Sequence, residues 1–149
     1  MKEIKIVIDK QTIEKYNQYY FSIHARAKKP PIEHPYHPSI NTWFVMPRPQ
    51  MNALKQKWKD FGVWLIDSLG YTNMKIDQLE LEYVTYMPTR RRIDPDNLCP
   101  KFLNDSLVES GFIVDDDGQH IKALILRTGY DKDNPRTEIY VRILEEKEK

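Results

Sequence analysis

The chain has 149 residues, 40% hydrophobic and 30% charged, with a mean hydropathy of −0.67; a globular chain of this length buries roughly 68–70% of its unfolded surface, which excludes long-range disorder and points to one domain over 1–149. Twenty-three Lys and Arg against 22 Asp and Glu leave a net charge of +1, so the total does not suggest a strongly basic nucleic-acid binder. The single cysteine, Cys99, allows neither an internal disulfide nor a Cys/His zinc set, and with no secretory or membrane-spanning apolar run a reducing, cytoplasmic setting without a membrane partner is expected.

Residues 2–9 alternate, with Ile4, Ile6 and Ile8 on one face, and predict a half-buried strand. Ile13, Tyr16, Tyr20 and Ile23 recur at helical spacing and predict a helix over 11–28. Six prolines in 29–49 forbid regular structure and predict one long loop, which also carries His34, His37, Trp43 and Phe44. Leu54, Trp58, Phe61, Leu65 and Leu69 mark a helix over 50–69 that Gly70 ends. A strand is expected over 75–86, closed by Pro88. A short helix follows in 97–110, starting near Pro100 and stopped by Gly111. Two strands, 121–127 and 137–144, are expected to pair as a hairpin with a long turn, and the last five residues to fray. The order β-α-loop-α-β-α-β-β predicts an α+β domain, a mixed sheet packed with helices.

Charge is unevenly placed. Between positions 10 and 60 nine basic residues stand against three acids, whereas between 94 and 117 seven acids stand against Lys101 alone. A basic surface around an acidic pocket suits an enzyme that holds a polyanion through bound cations; two solvated faces of opposite sign are the plainer account.

The most informative segment is Arg90-Arg91-Arg92-Ile93-Asp94-Pro95-Asp96-Asn97-Leu98, followed by Lys101 and by Asp115-Asp116-Asp117. Pro95 drives Asp94 into extended backbone, which predicts that Asp94 and Asp96 share a face. Two such carboxylates repel unless a cation lies between them. A helix over 100–110 advances about 16 Å, and an extended return over 112–116 covers about 16 Å, so Asp116 or Asp117 is expected beside the pair. Oxygen ligands without Cys or His favour Mg2+ or Mn2+, ions that promote in-line phosphodiester hydrolysis. An isolated Asp-Pro-Asp-Asn is also ordinary turn and N-cap chemistry. An EF-hand is excluded, because Leu98 and Asp105 fall at its fifth and twelfth positions and its central glycine is absent. Lys101 could stabilise charge on a phosphate or be an ordinary surface lysine, and Arg90, Arg91 and Arg92 could grip a DNA backbone or be solvated. His24, His34, His37 and His120 show no ligand spacing and are expected to be structural or exposed. Tyr16, Tyr19, Tyr20 and Phe21 are expected in the core rather than as a base-stacking platform.

The run from Arg90 to Leu98, with Asn104-Asp105-Ser106-Leu107-Val108-Glu109-Ser110-Gly111 and Asp115-Asp116-Asp117-Gly118-Gln119-His120-Ile121, resembles the RusA-like Holliday-junction resolvases of prophages and bacteriophages. The likeness is close over 89–122 and extends to the helix at 50–70 and to 131–139. It implies a homodimeric, magnesium-dependent endonuclease, with Mn2+ a possible substitute, that makes symmetric nicks in four-way DNA junctions during recombination and repair. Asp94 and Asp96 correspond to metal-binding aspartates and Lys101 to the catalytic lysine. Counting from Gly111 selects Asp116 as the third aspartate, whereas counting back from Gln119 selects Asp117. Pro100 places Lys101 five residues after Asp96, where four is common in the family. Arg26, Lys28, Lys29, Arg90, Arg91 and Arg92 are the expected DNA-holding residues. The rival readings are a junction-binding or phage accessory protein of the same fold without cleavage, and a metal-stabilised interaction module without DNA.

Overall fold

The computed structural model describes residues 2–144; the fraying expected of the last five residues lies outside them. The alternation at the start becomes strand β1 (Lys2–Ile8), with Ile4, Ile6 and Ile8 buried. Asp9 caps helix α1 (Lys10–Ile23) reciprocally: its carboxylate accepts the Thr12 N–H at 3.0 Å, and Thr12 Oγ1 accepts the Asp9 N–H at 3.3 Å. The helix ends at Ile23 rather than near residue 28. Only Ile13 and Tyr16 of α1 are buried, so further turns would bury nothing, and the His24 imidazole Nδ1 lies 3.1 Å from the Tyr20 carbonyl.

The proline-rich segment is irregular as expected except for one turn, α2 (Ile40–Trp43), which forms between Pro38 and Pro47 and is capped by the Ser39 hydroxyl. Helix α3 (Arg48–Ser68) starts slightly earlier than expected. Pro47 is its N-cap and Pro49 lies in its first turn, where a missing N–H costs no helical bond. Trp58, Phe61 and Leu65 bury its apolar stripe.

Strand β2 (Leu79–Met87) begins at Leu79, not at residue 75, because Asn73 and Lys75 take positive φ angles of 63° and 54° that interrupt extended backbone. The short helix begins beside Pro100 as expected, as α4 (Lys101–Glu109) with Pro100 at its N-cap, and one turn of 3₁₀ helix (Pro95–Leu98), not foreseen, precedes it. Strands β3 (Ile121–Tyr130) and β4 (Arg136–Ile143) complete the sheet.

The sheet order is β1-β4-β2-β3, with β3 parallel to β2 and β4 antiparallel to both β2 and β1. The fold is α+β with a mixed sheet. The hairpin expected between the last two strands does not form, since β2 lies between them. The five residues 131–135 reach about 16 Å when extended, enough to cross the end of β2 between positions about 10 Å apart. Strand-forming residues mark both segments, and such a signal does not name the neighbour.

Ile6, Ile139 and Tyr83 stand in register across three strands. They join Tyr16, Phe61, Leu65, Phe102 and Leu103 from the helices in one core. The opposite sheet face carries charge: Glu82 accepts from Arg142 at 2.5 Å and from Arg127 at 2.6 Å, and the Arg142 bond leads in holding its carboxyl below the usual range.

Candidate active site

Three attachments fix α4, the helix that begins with Lys101. Tyr83 of β2 donates its buried hydroxyl proton to Asn104 Oδ1 at 2.6 Å. Gly62 of α3 faces Ser106 so closely that a Cβ would stand 1.9 Å from the Ser106 hydroxyl oxygen, so only glycine permits this crossing. The third attachment comes from the proline-rich loop: His37 Nε2 accepts the Phe102 N–H at 3.1 Å, capping one of the free donors at the start of the helix. His37 Nδ1, 2.8 Å from the Pro38 carbonyl oxygen, therefore carries the ring proton. The ring is 3% exposed, packed between Trp58 and Phe102, and burial pushes its pKa down to about 4. Lys101, one residue before Phe102, is exposed.

The acidic residues divide into two groups. Asp116 lies with Lys101 and Asp105 on an open polar hollow of about 370 Å³, to which α3 contributes Lys55 and Lys59. Lys55 Nζ is 3.8 Å from Asp105 Oδ2, and Lys59 Nζ is 3.4 Å from Glu109 Oε2. The Asp116 carboxyl is raised above its ordinary pKa, first by partial burial, then by its hydrogen bond with Asp115 and by the charge of Asp105. The neighbouring Asp117 is engaged elsewhere, since its Oδ1 accepts the Gln119 N–H at 3.0 Å and lies 3.9 Å from His120 Nε2.

Asp94 and Asp96 occupy the other group. Asp94 is extended (φ −80°, ψ 135°), as the following proline requires, and its nearest cation is Arg92 at 3.7 Å, with side chains 60% and 93% exposed respectively. Asp96 is not in the extended backbone expected of it but inside the 3₁₀ turn, whose Asn97 N–H bonds back to the Asp94 carbonyl at 3.0 Å. Among the described residues no three His, Cys, Asp or Glu side chains stand close enough together to hold a metal ion. In donor chemistry, Asp94, Asp96 and Asp116 still fit a hard divalent cation, since all three offer carboxylate oxygens. Crowded negative charge at Asp116 is what such a cation relieves.

The basic residues fall in separate places. Arg90 lays its guanidinium over the Tyr130 ring at 4.5 Å, and Arg91 and Arg92 line the same shallow hollow with Thr128 and Gly129 at the end of β3. Lys29 shares a cavity of about 500 Å³ with Ile93 and Leu98, which places the start of the proline-rich loop against the segment bearing Asp94 and Asp96. Arg26 and Lys28 are exposed beyond α1.

Asp105, His37, Lys55 and Lys59 were not singled out as site residues by the sequence. The signal for three of them was present: Lys55 and Lys59 are four apart on one helix and Asp105 and Glu109 four apart on another, so each pair occupies one face with complementary sign. His37 carries no spacing signal, because its partner is a backbone N–H.

The arrangement is that of an α+β protein with a carboxylate and lysine hollow and, elsewhere, an arginine-rich hollow at the end of β3. The family model described as Endodeoxyribonuclease RusA matches residues 2–142, and the chain belongs to this family of crossover junction endonucleases. Membership implies Holliday-junction resolution on branched DNA and a general dependence on metal. Comparison with curated proteins finds no match to this chain. Among the described residues no helix is long and apolar enough to cross a membrane.

Proposed function

We propose that the protein is a magnesium-dependent nuclease that resolves four-way DNA junctions as a homodimer, with residues 1–149 forming one catalytic domain. The observation that carries this reading is the meeting of Lys101, Asp105 and Asp116, from separate stretches of a RusA-family chain, on one open polar hollow. Asp94, Asp96 and Asp116 would hold the ion. Asp116 is favoured over Asp117 because the Asp117 carboxylate already serves the Gln119 N–H. When bound, the ion supplies Lewis-acid activation of water and neutralises charge on the leaving oxygen.

The chain's own residues supply position and charge. Lys101, at the first turn of a helix fixed at three points, presents its ammonium to a non-bridging phosphate oxygen as negative charge develops there. Arg90, Arg91, Arg92, Arg26, Lys28 and Lys29 would hold the backbone of the junction arms, contacts that orient DNA without reading its sequence. A two-fold dimer presents two equivalent sites to a two-fold junction and yields paired nicks.

A labelled four-way junction incubated with Mg2+ tests the reading. Nicks are expected with the parent chain, and Asp96→Asn should lower their rate by about a thousandfold or more while the gel shift without metal persists. Equal nicking by parent and variant would remove Asp96 from the site. One observation favours a second reading, junction binding without cleavage: the carboxylates of the two groups are not gathered among the described residues. That reading requires a shift with no nicking by the parent at any Mg2+ or Mn2+ concentration.

A further inference from the structure

Phe44 and Val45, at the tip of the proline-rich loop, are 74% and 77% exposed, more than any other large apolar side chain of the described residues. Adjacent apolar residues left in water at a loop tip forgo the burial that would stabilise them. The tip is firmly mounted. The Phe44 N–H bonds to the Ile40 carbonyl at 2.9 Å, Met46 N–H bonds to the Trp43 carbonyl at 3.3 Å, and Pro47 and Pro49 follow. The preceding Trp43 is buried against the Phe102 ring, 5.1 Å between centroids, and α2 packs beside the 3₁₀ turn that carries Asp96. The apolar tip is thus mounted beside the start of α4 and the turn that carries Asp96.

The surroundings of the tip select its partner. From His34 to Lys59 the sequence contains no acidic residue. Lys55 and Lys59 are engaged with Asp105 and Glu109, while Arg48 and Lys57 remain outside those pairs on α3, the helix that follows the tip. Exposed apolar side chains followed along the chain by the cations Arg48 and Lys57 fit a polyanion that has an apolar interior open at one place. Duplex DNA hides its base faces by stacking, and a branch point is where those faces become accessible. Proteins that bend or open DNA insert such apolar wedges between base steps.

Resting on the proposed junction reading, we infer that Phe44, backed by Val45, is a wedge that enters the base stack at the branch point and gives the protein its preference for branched over linear DNA. Base stacking on an aromatic side chain is worth roughly 1–3 kcal/mol, equivalent to about 5- to 150-fold in affinity.

The test uses the full chain in EDTA with a four-way junction carrying 2-aminopurine beside the branch, a base whose fluorescence rises on unstacking. The parent is expected to raise that fluorescence and to bind the junction more tightly than the matching duplex. Phe44→Ala/Val45→Ala should abolish the rise and weaken junction binding at least fivefold, leave duplex affinity unchanged and melt at the parent temperature. Phe44→Trp, which keeps a stacking ring, should retain the rise. An unchanged rise and affinity in the double alanine variant overturns the wedge while parental nicking still upholds the nuclease reading; a parent that neither binds nor nicks junctions ends both. Two further results overturn the wedge: a smaller mass for the double variant in size-exclusion light scattering, which would assign the tip to self-association, or a loss confined to binding of phosphatidylserine vesicles.

Discussion

Asp116 hangs from a segment joined to a distant stretch of backbone, whereas Asp94 and Asp96 sit on a segment whose backbone bonds close on itself. Next to Asp116, Lys75 N–H bonds to the Gly111 carbonyl at 2.8 Å, Ile76 N–H to the Phe112 carbonyl at 3.0 Å and Val114 N–H to the Ile76 carbonyl at 2.9 Å. Two non-glycine residues with positive φ, Asn73 and Lys75, are held there at a cost of order 1–3 kcal/mol each. Around Asp96 the bonds run only from Asn97 to Asp94 at 3.0 Å and from Cys99 to Asp96 at 3.3 Å, with Leu98 as the buried anchor. One half of the proposed site is held by a distant stretch of the fold, the other by its own turn. Changes near Asp116 should therefore disturb both stability and nicking, and changes at Asp94 or Asp96 nicking alone.

The largest expected effect separates neighbouring carboxylates on the joined half. Asp116→Asn should slow junction nicking by about a thousandfold, and Asp117→Asn by less than about tenfold, since the second carboxylate serves a turn. Equal losses in single-turnover assays would erase the distinction drawn between them.

The next effect concerns the His37 cap on the Phe102 N–H, which joins the proline-rich loop to the start of α4. With its folded pKa depressed to about 4 against an ordinary 6.5, the unfolded chain binds a proton in that interval that the folded chain refuses. Stability present above pH 6.5 is thus lost as pH falls toward 4, by about 3 kcal/mol, and the loss levels off below. His37→Gln keeps an acceptor for the Phe102 N–H but does not titrate, so urea midpoints measured from about pH 7 to 4 should fall less steeply than the parent's. Parallel profiles would show that another group governs the acid limit.

A smaller effect tests the comparison through backbone alone. Gly111 has φ +75°, and a Cβ there would stand 2.4 Å from Asn73 Oδ1. Gly111→Ala should cost about 2 kcal/mol, lowering the melting temperature by roughly 4–8 °C, while Asp94→Asn should leave it within about 1 °C. A melting point lowered as much by Asp94→Asn would mean that the exposed half is structural after all.

Much of the fold was legible because the patterns were long. The stripe from Leu54 to Leu65 and the alternation of Ile4, Ile6 and Ile8 each name a face turned to the core, and both pack there as read. Strand partnership was not legible, because a strand's own residues do not name its neighbour and the pairing depends on what else fits beside β2. At the site, the effect of Pro95 on Asp94 could be deduced from proline's sterics. The 3₁₀ turn that takes Asp96 could not, since a one-turn helix has no period to read. His37 remained hidden for a simpler reason: nothing in a histidine's sequence position reveals that a backbone amide 65 residues later will face it.

The placement of β4 has a consequence for biosynthesis. The first strand made, β1, pairs with β4 and with no other described strand, so the edge that β4 covers stays open until residues 136–143 have been translated. At about 5–20 residues per second, that delay is on the order of ten seconds. Throughout it, an alternating isoleucine strand waits without a neighbour, and the nascent chain depends on the ribosome's surroundings to keep that edge from strangers.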